Sequence, residues 1–182
     1  MLVGMNQYKL IWQSTLSTKQ KITKYNSLVW GKGKWSLHLH VLTRANQVLI
    51  DGAQARHIRR ITGTPAAFIS RVSHKKVRKK VKLQRASTSV FKAQLQWLGH
   101  ILRKPTNDPL RVVLFGPEGG LNPYRPRYGK RKRGRPNHEW AEHLFNHIYS
   151  LIQMNRTNFQ KVASDRVSFN KLVERLCVLH LS

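Results

Sequence analysis

The residues with the most pointed chemistry in this sequence are cationic. Lys130, Arg131, Lys132, Arg133 and Arg135 fall within six consecutive positions. Such a block neutralises phosphates and releases their counterions, the main source of sequence-independent affinity for nucleic acid. Its end, Arg133-Gly134-Arg135-Pro136, has the form of an AT-hook core. There glycine lets an extended backbone lie deep in a narrow minor groove, with arginine on either side. The same residues read as a nuclear-import signal, which makes the nucleus the expected location. They also read as a solvated loop. Tyr124 and Tyr128 interleave with Arg125, Arg127 and Lys130, so their rings are candidates either for stacking on unpaired bases or for packing the loop. A second cluster is Lys75, Lys76, Arg78, Lys79 and Lys80, inside a stretch (71 to 85) with eight Lys or Arg and no acid.

Other chemistries find little support. The acids Asp51, Asp108, Glu118, Glu139, Glu142, Asp165 and Glu174 are scattered, with no Asp-Asp or Asp-x-Asp pair to hold two metal ions. No P-loop and no Gly-x-Ser-x-Gly is present. His143 and His147 are spaced for one helix face, with His138, Glu139 and Glu142 near, but they do not form His-Glu-x-x-His. No metal or other cofactor is expected. His38 and His40 read as a polar face, and His100 as a partly buried core histidine. The single cysteine, Cys177, excludes an internal disulfide and a Cys-based zinc finger.

The whole chain has the same bias as these clusters. Its 182 residues hold 34 Lys+Arg against 7 Asp+Glu, a formal charge of +27. A surface so charged repels itself, and a polyanion relieves that repulsion. With 40% apolar residues the chain has material for a core. No apolar run approaches the roughly 20 residues needed to span a bilayer, and no membrane partner is expected. The opening residues turn polar too soon for a signal-peptide core.

Helices must present these residues. Spacing and caps place them near residues 18–30, 44–62, 73–83, 88–103, 138–153 and 165–180. Ser17 or Thr18, Thr43, Ser73 and Ser87 are the N-caps. Ile22, Tyr25, Leu28 and Val29 make one buried face, and Gly31 to Lys34 ends that helix. The 88–103 helix has the clearest pattern: Phe91, Leu95, Leu98 and Leu102, flanked by Val90, Gln94 and Ile101. Trp140, Leu144, Ile148 and Leu151 form another stripe, and Leu172, Leu176 and Leu179 a last one. Trp35 to Leu42 alternates partly, as a short strand or an irregular apolar link. Residues 104 to 136 hold six of the seven prolines and five glycines, and read as connector; within them Val112 to Phe115 fits a short strand or an apolar patch. The expected fold is all-α, with about five to six helices and a long basic Pro/Gly-rich loop. The expected divisions are a helical module (1–103), the loop (104–137) and a C-terminal helical segment (138–182).

Read in order, five segments resemble the C-terminal, thumb-like region that follows the polymerase core of non-LTR retrotransposon reverse transcriptases. They are Leu16 to Val29, Ala55 to Gly63, Ile69 to Val77, Leu95 to Arg103 (with Trp97-Leu98-Gly99-His100) and Gly129 to Trp140. The resemblance covers about residues 10 to 150. Departures are His57 at a usual cysteine, Lys34 where an acid is common, and Lys76 where an acid would complete a capping box. The resemblance implies no catalytic residue here, since the metal-binding aspartates and endonuclease of such elements lie outside this chain. It implies a role in gripping DNA, RNA or a hybrid of the two. Competing expectations are an AT-hook-like architectural DNA-binding protein and an inert product of a decayed retroelement.

Overall fold

In the computed structural model, residues 6–34, 36–117, 120–122 and 140–180 are described. Every regular element among them is helical, and none is a strand. The chain is therefore all-α. By contacts it divides into two units, Met1–His38 with Leu42–Val90, and Leu39–Val41 with Phe91–Ser182. The division lies inside one helix, whereas the sequence suggests a boundary after Arg103.

The first unit holds α1 (Lys9–Gln13), α2 (Thr18–Tyr25), α3 (Gly31–Lys34), α4 (Arg44–Ile61), α5 (Ala67–Ser70), α6 (His74–Lys80) and the first turn of α7 (Ala86–Leu102). Ser17 caps α2 through a reciprocal box with Gln20. Thr43 caps α4 and Ser73 caps α6, each by accepting from the backbone N–H three residues on. α1, α2 and α6 all pack on α4. The buried residues here include Trp12, Ile22, Tyr25, Val29, Trp30, Ile58, Ile61 and Val77.

Gly31 does not stop the helix that begins at Thr18. A π turn, Asn26–Trp30, carries it into α3, with the Gly31 N–H donating to the Asn26 carbonyl. A Cβ at Gly31 would lie 3.0 Å from that same oxygen, a tight approach that glycine avoids. The inserted residue rotates the face behind it, which buries Trp30 and leaves Leu28 only half-buried. Of the two expectations for Trp35 to Leu42, the irregular link is observed over the described residues 36–42, with a 3-10 turn at Leu37–Leu39.

The second unit holds the rest of α7, then α8 (Pro109–Phe115), α9 (Trp140–Ile152), α10 (Arg156–Ser164) and α11 (Arg166–Leu179). All seven expected core positions of α7 are buried. A chain of ring contacts runs Phe115–Phe145–Phe159–Phe169, at centroid distances of 6.2, 5.9 and 5.7 Å. The last two are edge-on, the arrangement the ring quadrupoles favour. Gly99 of α7 is fully enclosed, and a Cβ there would lie 2.3 Å from the Phe169 ring.

Two expectations are corrected. Val112 to Phe115 is not a strand but part of the helix Pro109–Phe115, which buries Arg111 and Phe115, so this part of 104–136 is core. The overlooked signal is Asp108-Pro109, an N-cap followed by proline at the first helical position. α10 was also not expected. Its cap, Asn155, accepts from the Asn158 N–H at 2.8 Å, and Phe159 and Ala163 bury one turn apart.

Candidate nucleic-acid interface

α6 is a seven-residue helix with one buried side chain, Val77. At 100° per residue, Lys75, Lys76, Lys79 and Lys80 span an arc of about 140°. The centre of that arc lies opposite the line between Val77 and Arg78. All four lysines are exposed, and Arg78 is half-buried. Burial is the first cause lowering the Arg78 pKa; Asp51 opposes it and Arg85 adds to it. The sequence grouped five cations as one contact set; the fold presents four outward and turns the fifth toward the protein. Lys75 with Lys79, and Lys76 with Lys80, are like-charged pairs one turn apart, each costing about 0.2–0.5 kcal/mol. The fold holds this helix by Val77, the Ser73 cap and packing on α4.

The surroundings are positive as well. His74 has its pKa lowered by burial first, then by Arg59, Arg78 and Arg56. Arg59 itself is buried. Its guanidinium donates to the carbonyls of Pro65 and Val72 and, at 3.2 Å, to the Ser70 hydroxyl. Those bonds brace the segment leading into α6.

Several other arginines serve the fold. In the second unit, buried Arg111 donates to the carbonyls of Leu102 and Lys104, at 2.9 and 2.8 Å, where α7 ends. Arg103 donates to the Ala163 carbonyl at 2.9 Å and lies over the Phe169 ring. Arg156 donates to Asn122 Oδ1 at 2.9 Å and lies over Phe145. Lys130, Arg131, Lys132, Arg133 and Arg135 lie outside the described residues, as do Tyr124, Tyr128, His138 and Glu139.

The aspartates have structural work. Asp108 caps α8 and Asp165 caps α11. Burial works to raise the Asp108 pKa, but the Leu110 N–H and Lys104 hold it below its usual value. Bonds from Ser168 and Val167 hold Asp165 low. Asp51 acts across 36 residues. Its two oxygens accept from the Ser87 N–H and hydroxyl, both at 2.9 Å. Gln54, on the same helix, accepts from the Ala86 N–H and donates to the Gln84 carbonyl, each at 3.1 Å. The start of α7 is thus capped from α4, not by Ser87. Neither residue was found from the sequence, because their partners are 30 or more positions away.

The histidines divide differently from the sequence reading. His100 is exposed and stacks beside Trp97, since it lies on the α7 face opposite Leu95 and Leu102. The core histidine is His57, whose Nδ1 lies 3.3 Å from the Tyr25 hydroxyl. Burial, then the charges of Arg56 and Arg60, push its pKa down to about 4. Burial also pushes the Tyr25 phenol well up. His147 Nε2 lies 3.0 Å from His180 Nδ1, and both rings lie against Phe91. No group of three or more His, Cys, Asp or Glu among the described residues is placed to hold a metal. No helix among them is long and apolar enough to cross a membrane.

Comparison with family models, with curated proteins and with solved structures finds no match.

Proposed function

We propose that this protein is a non-catalytic nucleic-acid-binding module, similar to the thumb-like C-terminal region of a non-LTR retrotransposon reverse transcriptase. It grips the phosphate backbone through Lys75, Lys76, Lys79 and Lys80, and through Lys130, Arg131, Lys132, Arg133 and Arg135. The supporting observation is the outward lysine face of α6, which no acid in residues 71–85 offsets. A helix that charged repels itself, and phosphates at its surface remove the repulsion. The non-catalytic reading is supported by the aspartates, all of which serve as helix caps. The five cations at 130–135 rest on the sequence and on the family resemblance, and their run is also the basis for a nuclear location.

Salt-dependent binding tests the reading. About six phosphate contacts weaken wild-type binding on the order of a thousandfold between 50 and 200 mM salt. Replacing the five cations at 130–135 with alanine lowers affinity on every sequence and flattens the salt slope. An unchanged slope removes that block from the interface. A marked preference of wild type for A·T-rich over G·C-rich duplex would instead favour an architectural AT-hook.

A further inference from the structure

The turn just before α6 carries an apolar pair that is largely exposed. Phe68 is 75% exposed and Ile69 64% exposed, both on α5. A lone exposed aliphatic side chain is ordinary, but an exposed phenyl ring beside a second apolar residue in a braced turn is less so. The bracing is extensive. Buried Arg59 bonds to the turn at Pro65, Ser70 and Val72. The Ser70 hydroxyl also lies 3.2 Å from the Pro65 carbonyl and 3.1 Å from that of Ala66. Arg71 closes the turn in the left-handed region, at φ 53°, with its N–H on the Ala67 carbonyl. Phe68 is therefore presented from a fixed backbone, and the cation-only stretch starts three residues later at Arg71.

We infer that Phe68, with Ile69 beside it, is a stacking platform for unpaired bases of a strand whose phosphates lie on the lysine face of α6. The inference rests on the function proposed above and specifies its ligand as single-stranded nucleic acid. The chemistry is complementary in both parts. An aromatic face accepts any base, and adjacent cations follow the backbone. An anionic membrane surface also attracts lysines and apolar side chains, but it takes an amphipathic helix with a free apolar face. α6 has no such face, because its one apolar residue inside the cationic run, Val77, is buried in the protein.

The test compares full-length wild type, Phe68→Ala, Phe68→Trp and the quadruple lysine-to-alanine variant at 75, 76, 79 and 80. Binding is measured to oligo(dT), to duplex DNA of equal length, and to phosphatidylcholine vesicles containing phosphatidylserine. Phe68→Ala is expected to weaken oligo(dT) binding about tenfold, with its salt slope unchanged and duplex binding altered less than about twofold. Phe68→Trp retains oligo(dT) binding. The quadruple variant loses affinity for both nucleic acids and flattens both slopes. If Phe68→Ala binds oligo(dT) like wild type while the quadruple variant is weakened, the platform is refuted and the nucleic-acid function stands. Equal losses on single strand and duplex also refute the platform. If wild type binds neither nucleic acid, both readings fall. Phe68-dependent binding to vesicles, without a Phe68 effect on oligo(dT), moves the surface to a membrane and overturns the inference.

Discussion

Arg111 and the lysines of α6 carry the same formal charge and have opposite positions in the structure. Arg111, in the second unit, is buried and holds two backbone carbonyls at the end of α7. The α6 lysines, in the first unit, point away from the only buried residue of their helix. A planar guanidinium with several fixed donors suits carbonyls that have lost water, whereas a strongly hydrated ammonium costs more to bury. Arg59, Arg103 and Arg156 follow Arg111 in bonding to the fold. The count of 34 Lys+Arg therefore overstates the cations available to a ligand. Charge alone predicts polyanion affinity, while side-chain partners distinguish which cations deliver it.

Substitution separates the two kinds. Arg111→Met keeps the aliphatic stem but leaves the Leu102 and Lys104 carbonyls without their donor. It should destabilise the protein by about 1–3 kcal/mol in a denaturant titration, with the salt slope of nucleic-acid binding unaltered. A stable Arg111→Met with weakened binding would place Arg111 among the ligand contacts and break the comparison.

Acid provides a second, smaller probe, directed at the buried histidine of the first unit. His57 is neutral in the fold, its pKa lowered from 6.5 to about 4. A histidine depressed in this way contributes stability above its unfolded pKa, which is lost as pH falls toward the folded value. The thermal midpoint should therefore decline between pH 6.5 and 4, as the unfolded chain takes up a proton that burial and the nearby arginines keep off the folded histidine. A His57→Gln variant should decline less. Identical declines in the two proteins would assign the acid sensitivity to other groups, such as His147, which burial and then His143 also depress.

The smallest effect is expected where the binding loss is large. The quadruple alanine variant of α6 removes exposed side chains and two like-charged pairs. Its stability should stay within about 0.5 kcal/mol of wild type, as for surface changes away from special features. A larger loss would mean that these lysines hold the fold and would put them beside Arg111.

The helices were legible where the pattern is local. α7 shows in the spacing of Phe91, Leu95, Leu98 and Leu102, and all four are buried. The caps Ser17, Thr43 and Ser73 sit next to the backbone groups they satisfy. α8 had a local signal in Asp108-Pro109, masked by the surrounding prolines and glycines. The π turn at Asn26–Trp30 was not legible, because Ile22, Tyr25 and Val29 keep ordinary helical spacing through it.

Alone, the sequence determined the all-helical class, the positive charge and the local caps, since each depends on residues within a turn or two. Tertiary structure decided what is set by distant partners. Asp51 became a cap for α7, Gly99 the space for Phe169, His57 the core histidine in place of His100, and Arg59 the brace behind Phe68. A side chain's type fixes what it can bond. Only the folded neighbourhood decides whether a buried carbonyl takes up that capacity or whether it is left facing solvent.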